Sequence, residues 1–372
     1  MKVLALNPYH GGSHAAFLDG WRSHSRHAFT IVTLPPHKWK WRMRHGAVTL
    51  AARVNALAES NQQWDALWTT SMLNLAEFKG LTKRSVADLP AVVYFHENQL
   101  TYPLHNDEQR DLHLAYSQFT SALAAAAVWF NSGHHRDTFC DAMRAFLRTM
   151  PDPDQSALLP ALQNRSTVHY PPIPPPPETD RKRGQSRVTP HLLWAARWEY
   201  DKNPALLLEG LIELEQRGFD FKLSVIGQRF RQSPPEFEQI QRRFAGRLAC
   251  FGYLESRDAY EAALTESDVF ISTADHEFFG IAAVEAAARG CAAVLPERLA
   301  YPEVFGDRAT WYDGSAEGLA DAVQKAALQS TDERDQLAHD TVERFGWLAR
   351  AGALDDALDA AARREMPGDD LT

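Results

Sequence analysis

Cysteine is scarce in this chain. Only Cys140, Cys250 and Cys291 occur in 372 residues, without CxxC or Cys/His ligand spacing, and an odd number suits a reducing compartment. A disulfide framework is therefore excluded, and buried thiols are the ordinary expectation. No segment has the length or purity of a transmembrane helix or a signal-peptide core, and the chain runs from Met1 straight into a strand pattern, so a cytoplasmic protein with no membrane insertion is expected. GxGxxG and Walker loops are both missing, which leaves dinucleotide or ATP binding weakly supported. No Asp-x-Asp stands between strands; Asp152-Pro-Asp154 lies in an irregular stretch, so neither a metal nor a cofactor is expected. An overall positive charge is absent too. A net charge of −9 and a pI near 5.9 argue against a basic coat, though a local basic patch stays open.

What is present is an ordinary globular composition, 45% hydrophobic and 23% charged, in a chain long enough for two domains. Short apolar runs alternate with helical patterns throughout. Strands are expected at Lys2–Asn7, Phe29–Leu34, Asp65–Thr70, Ala91–Phe95 and Val128–Asn131, and the regular pattern fades from Pro151. A Pro-rich run from Tyr170 to Pro177 and the charges after it read as a linker over 171–188. A second α/β set follows. The expected domains are 1–170, 189–346 and a helical tail, 347–372, that can pack back on the first domain. The fold class is α/β: two Rossmann-like domains with parallel sheets facing an interdomain cleft.

Polar groups collect where predicted strands end, which is where open α/β sheets bind ligands. The first strand leads into Pro8-Tyr-His-Gly11-Gly12-Ser13-His14, where two glycines permit close backbone approach and Ser13 is a candidate cap; a tight turn with no ligand fits equally. The fourth leads into His96-Glu97-Asn98-Gln99, four polar side chains that are costly to bury without partners. His96 is the candidate acid–base or sugar-binding group there, a hydrogen-bonded structural histidine being the plainer alternative. Between them, Pro35 to His45 reads as a loop in which Lys38, Lys40, Arg42 and Arg44 interleave with Trp39 and Trp41. Such a mixture neutralises phosphates and stacks on bases; a solvated loop with packed tryptophans looks the same.

In the second half, Arg197 and Lys202 follow a strand and precede a helix, with Asn203 as its cap and Pro204 in the first turn. Two cations converging there can hold a diphosphate and stabilise it as a leaving group. The stretch Thr273 to Gly290 then packs a strand end, a tight loop, two carboxylates and a helix together. Glu277 in the loop and Glu285 about two turns into the helix can each accept hydrogen bonds from vicinal hydroxyls, and Gly280 allows close approach; two solvated glutamates would show the same spacing.

These motifs resemble glycosyltransferases of the GT-B fold, with an Arg-x4-Lys pair and a Glu-x7-Glu stretch. The chain more closely resembles the tRNA-queuosine α-mannosyltransferase family, over nearly its whole length. The likeness rests on Tyr9–His14, Leu34–Arg42, Ser71–Leu75, Tyr94–Pro103, Asn131-Ser132, Tyr170–Pro172 and His276-Glu-Phe-Phe-Gly280. It implies retaining, metal-independent transfer of mannose from GDP-mannose to the cyclopentenediol of queuosine in tRNA. Catalytic roles then fall to His96, Arg197, Lys202 and Glu277. Donor contacts fall to Arg197, Lys202, Glu277, Phe278, Phe279, Gly280 and Glu285, and acceptor contacts to Gly11, Gly12, His14, Glu97, Asn98 and Gln99. Lys38, Trp39, Lys40, Trp41, Arg42 and Arg44 would meet nucleic acid. Transfer to another nucleoside, a lipid or a small molecule, a sugar-nucleotide epimerase, and a non-catalytic binding protein are the alternatives that the residues leave open.

Overall fold

Strand β1 (Lys2–Asn7) is buried from Val3 onward on both faces, as a central strand of a parallel sheet must be. Its side chains alternate. Leu4 and Leu6 enter one apolar cluster, with Leu50, Val54 and Phe119, while Val3 and Ala5 enter another, with Trp21, Trp68 and Trp129. The computed structural model describes residues 1–104, 109–151, 153–176, 189–230 and 233–363. The remaining strands of this first sheet are β2 (Ala28–Thr33), β3 (Ala66–Thr70), β4 (Ala91–Phe95), β5 (Ala127–Phe130) and β6 (Ser166–Val168), all parallel in the order β2-β1-β3-β4-β5-β6.

The second sheet contains β7 (His191–Ala195), β8 (Lys222–Ile226), β9 (Leu248–Gly252), β10 (Val269–Ile271), β11 (Ala292–Pro296) and β12 (Thr310–Tyr312). Its order, β9-β8-β7-β10-β11-β12, is the Rossmann order 3-2-1-4-5-6 when counted within the unit. Each sheet therefore has one topological switch point, between β1 and β3 in the first and between β7 and β10 in the second. The chain divides into a unit of Met1–Pro172 with Trp347–Thr372, and a unit of Ile173–Gly346.

The helix Trp347–Ala362 belongs to the first unit because it completes one face of that sheet. Trp347, Leu354 and Leu358 join the cluster of Phe17, Trp21 and Trp129, and the Asp355 carboxylate accepts hydrogen bonds from Trp21 Nε1 (2.8 Å), Ser25 Oγ (2.6 Å) and the Arg26 amide (2.9 Å). Gly20, in the middle of the helix Gly12–His24, leaves room for the Trp347 ring: a Cβ there would stand 2.1 Å from a ring carbon. Alanine would gain about 1 kcal/mol in helix propensity but lose about 1–3 kcal/mol to overpacking. Gly20→Ala is therefore expected to lower the melting temperature, and an unchanged or higher value would show that the ring can move aside.

Three local expectations change. The segment after Pro36 is not a loop: Trp39 to Glu59 is one helix, since Lys, Arg, Met and Ala are good helix formers and the prolines break the chain only as far as residue 36. Ser13 is not a cap, because the helix starts at Gly12 with Gly11 at its N-cap position and no side-chain cap. Beyond Pro151, the helix Leu159–Asn164 and the edge strand β6 continue the α/β pattern, β6 being only three residues long and polar at two of them. Residues 177–188 of the expected linker, Asp152, and the tail beyond residue 363 lie outside the described residues. Ile173, before that stretch, is buried and bridges Gly346.

Candidate functional site

The second unit's switch point gathers the loop after β7 and the loop after β10. Asn203 accepts from the Leu206 amide and caps the helix Pro204–Gln216, with its own backbone left-handed at φ 48°. The two loops are then laced together. Thr273 Oγ1 donates to the Lys202 carbonyl (2.7 Å), Trp194 Nε1 donates to Thr273 Oγ1 (3.0 Å), and the Asp275 amide donates to the Asp201 carbonyl (2.9 Å).

Within this frame Lys202 is buried, and its Nζ donates to the His276 carbonyl at 2.6 Å and lies 3.1 Å from Asp201 and 3.4 Å from Glu277. Burial pushes the Glu277 carboxyl up, but Lys202, His276 and the Phe279 amide outweigh it and hold the group below its ordinary value. Glu277 is thus a carboxylate at neutral pH, clamped on one side and open on the other. It lines a small concavity together with Ala196, Lys202, Ser272, Gly280 and Tyr301.

Gly280 is required twice over. Its φ is +89°, and a Cβ would meet the Tyr301 ring at 2.5 Å. Tyr301 itself hydrogen-bonds Ser272 Oγ at 2.7 Å; the tyrosine was not singled out in the sequence, where only its Pro-containing turn is visible. Phe278 and Phe279 are buried, packing on His276 and Phe345 respectively, so their rings are turned to protein. Arg197 is about half exposed and sits 3.1 Å from Glu199, outside the lining of the concavity. Glu285 lies about one turn into the helix Ile281–Ala287, not two; it is buried, and Arg257 and Tyr260 hold its two oxygens.

At the first unit's switch point, His14 Nε2 meets Glu97 Oε2 at 3.1 Å, and the His14 ring packs against that of His96 with centroids 4.1 Å apart. The loop holding His96 and Glu97 is strapped from below: Asn131 donates to the His96 carbonyl (2.9 Å) and Ser71 to the Glu97 carbonyl (3.0 Å). His96 is 8% exposed, and its Nε2 and the Nδ1 of His14 have no hydrogen-bond partner among the described residues. Such orphan nitrogens in a buried pair are costly unless a ligand or water completes them.

Asn98 is fully buried and consumed locally, its oxygen accepting from the Leu100 and Thr101 amides and its nitrogen donating to Thr101 Oγ1. The Gln99 amide donates to Gln118 Oε1. Of the two glycines, Gly12 is left-handed at φ +54° with open space around it, whereas Gly11 abuts Pro36. The basic segment thus begins beside the glycine turn. Trp41 is 57% exposed, Lys38, Trp39, Lys40 and Arg44 are also exposed, and Arg42 is fixed by the Pro35 carbonyl, His37 and His45. Arg44 pairs with Asp111.

Two histidines of this unit make it acid-sensitive. Burial, then the charges of His14 and His135, hold His96 well below 6.5; burial and then Arg350 lower His169 to about 4. In the unfolded chain both take protons below about 6.5. The stability they confer is complete above that pH and declines as pH falls from 6.5 towards 4. The urea midpoint is expected to fall between pH 7 and pH 5, with His169→Gln flattening the decline; a midpoint independent of pH would contradict this.

The profile described as tRNA-queuosine alpha-mannosyltransferase N-terminal matches residues 2–173, and that of glycosyl transferases group 1 matches residues 177–343. A tRNA-queuosine alpha-mannosyltransferase of Drosophila melanogaster is 37% identical over 312 residues, 82% of this chain and 81% of the relative. The chain belongs to the tRNA-queuosine α-mannosyltransferase family. It is a glycosyltransferase. A more distant relative, a GDP-mannose-dependent alpha-(1-6)-phosphatidylinositol dimannoside mannosyltransferase of Mycobacterium tuberculosis, is 27% identical over 48% of this chain and 46% of its own length. Among solved structures, a sucrose-phosphate synthase of Thermosynechococcus elongatus has a TM-score of 0.72 at 14% identity, covering 97% of this chain and all of the other. Anabaena HepE in complex with UDP has 0.68 at 14% identity, with the same coverage. These two support the GT-B fold. Among the described residues, no helix of this family member is long and apolar enough to cross a membrane.

Proposed function

We propose that this chain transfers mannose from GDP-mannose to the cyclopentenediol of queuosine in tRNA, with retention at the anomeric carbon and without a metal ion. The observation that carries the donor half is the Lys202–Glu277 pair: an ammonium and an ionised carboxylate 3.4 Å apart at a switch point, beside a left-handed glycine and an open concavity. The acceptor half is supported by the 37% identical Drosophila relative that bears this activity in its name, and the choice of GDP-mannose by the mycobacterial one.

The donor's diphosphate takes the positive charge of Lys202 and of Arg197, whose half-exposed side chain can leave Glu199 for a phosphate. Glu277 accepts hydrogen bonds from hydroxyls of the transferred hexose. As the bond from the anomeric carbon to the phosphate oxygen breaks, the two cations offset the charge that gathers on the diphosphate. The acceptor hydroxyl attacks from the same face, and its proton passes to the departing phosphate oxygen. Phe278, Phe279, Gly280 and Glu285 shape the donor loop and hold the ribose. On the acceptor side, the unpartnered Nε2 of His96, neutral at pH 7, is a hydrogen-bond group for a substrate hydroxyl, with Gly12, His14, Glu97 and Gln99 beside it and Gly11 and Asn98 fixing the turns.

Lys38 to Arg44 would meet the tRNA backbone and stack on a base. Lys38→Ala/Lys40→Ala/Trp41→Ala is expected to weaken tRNA binding about tenfold and to reduce the salt slope by about two; unchanged binding would remove this surface from the acceptor site. The decisive measurement incubates purified protein with a panel of nucleotide sugars and queuosine-containing tRNA, then reads the nucleoside mass. A hexose added to queuosine only with GDP-mannose is expected. Addition from another donor would correct the sugar, and donor hydrolysis without addition would sink the tRNA acceptor. A cytosolic site of action, where nucleotide sugars and tRNA meet, completes the proposal.

A further inference from the structure

Glu285 sits among Ala283, Val284, Ala286 and Ala287, all buried, and is itself only 6% exposed. Two residues from one face of the helix Arg257–Glu266 reach it. Arg257 Nη2 donates to Oε1 at 2.6 Å, and the Tyr260 hydroxyl donates to Oε2 at 2.9 Å. Arg257 is fixed in turn, with its Nε donating to Glu261 at 2.7 Å and its guanidinium lying 5.1 Å from the Tyr260 ring. A carboxylate oxygen has two lone-pair directions. Among the described residues each oxygen of Glu285 spends one on a protein donor and keeps one, so the carboxylate's plane is set while two acceptor positions remain, one per oxygen.

We propose that Arg257 and Tyr260 are positioning residues for the donor: they orient the Glu285 carboxylate so that its two remaining acceptor positions match the 2′- and 3′-hydroxyls of a nucleotide's ribose. The inference rests on the donor assignment of Glu285 given above. An unanchored glutamate would sample several rotamers and pay the entropy of ordering on binding; an anchored one has already paid it. Burial and the neighbouring carboxylate push the Tyr260 phenol far up, so it stays a donor across the working pH range. The rival explanation is that Arg257, Glu261, Tyr260 and Glu285 merely tie two helices together. It makes a different prediction, because a structural tie has no preference for one nucleotide over another.

The test compares binding of GDP and 2′-deoxy-GDP by calorimetry. The wild-type protein is expected to prefer GDP by about 10- to 100-fold, the discrimination that a site built to bond a hydroxyl gains over one that lacks it. Tyr260→Phe, which keeps shape and loses only the hydroxyl, and Arg257→Ala should each cut that ratio to below about fivefold, with 2′-deoxy-GDP affinity changed less than about threefold. Neither should add to the loss caused by Glu285→Gln, since all three act through one contact. Variants that weaken both nucleotides equally, or that keep the wild-type ratio, overturn the positioning role. A wild-type protein that binds GDP but does not distinguish the two nucleotides removes the ribose assignment of Glu285 itself, and the role of Arg257 and Tyr260 falls with it; one that binds neither nucleotide overturns the GDP donor reading on which the inference rests.

Discussion

Lys202→Ala is expected to lower kcat/KM for transfer by about 10²–10⁴, the loss seen when a group that stabilises developing charge in a water-poor site is removed. Asp201, Glu277 and the His276 carbonyl converge on the ammonium. Its removal leaves two carboxylates without their cation. The Glu277 carboxyl, which burial pushes up and Lys202 holds down, would rise, and its value as a double acceptor for sugar hydroxyls would decline. Breaking a buried pair by deleting one partner costs about 3 kcal/mol of stability, so lost activity in this variant has two causes.

Arg197→Ala separates them. Arg197 is about half exposed, and its truncation should change stability by less than about 1 kcal/mol. Diphosphate binding would nonetheless suffer, with kcat/KM down by about 10–10³ if the guanidinium meets the leaving group. Steady-state kinetics on both variants, alongside their melting curves, is the check. Full activity in Arg197→Ala with a wild-type melting curve would confine the diphosphate role to Lys202. Full activity in both would remove the donor assignment from this loop.

Asp355→Ala is expected to destabilise the first unit by about 3–5 kcal/mol, the largest effect on stability anticipated in this chain. The carboxylate is 2% exposed and accepts three hydrogen bonds, from Trp21 Nε1, Ser25 Oγ and the Arg26 amide. Alanine leaves the buried Trp21 and Ser25 donors unpaired, and each unmet donor carries its full desolvation cost. At about 2–4 °C per kcal/mol for a unit of this size, the melting temperature should fall by about 10 °C. Tryptophan fluorescence follows the transition directly, because Trp21, Trp68 and Trp129 share the cluster that Asp355 borders. A drop below about 2 °C would mean that the helix Trp347–Ala362 is held by its apolar face alone. Asp355→Asn, which keeps one acceptor oxygen, should lie between the two.

Much of the architecture was legible because parallel strands are buried on both faces and so appear as short continuous apolar runs. Lys2–Asn7 and Ala91–Phe95 fall where the runs place them, and Ala28–Thr33, Ala66–Thr70 and Ala127–Phe130 within a residue of it. Elements without that signal were harder to see. β6 is three residues with a serine and a threonine; it is a strand because β5 offers it an edge. The helix from Trp39 was hidden by tryptophans and charges whose periodicity shows only once Met43, Ala47 and Leu50 are known to face the core. At the candidate site, the spacing of Arg197, Lys202, Glu277 and Glu285 was visible, whereas Tyr301, Arg257 and Tyr260 were not. Those three reach the site from other elements, and no local pattern records where a helix is docked.

By itself, then, the sequence determined which longer apolar runs form strands, where the polar loops interrupt them and which family the motifs resemble, because these are properties of local chemistry and of spacing along the chain. The tertiary structure decided what those residues do to one another. It sealed Lys202 between Asp201 and Glu277, left Glu277 open on one side, spent Asn98 on its own turn and assigned both oxygens of Glu285 to Arg257 and Tyr260. It also moved the last helix onto the first unit, through an aspartate that the sequence shows only as one of a pair, Asp355-Asp356. The physical reason is common to all of these. A charge or hydrogen-bonding group acquires its role from burial and from partners that are distant in sequence, and those are settled only when the strands of each sheet take their order and the loops at its switch point meet.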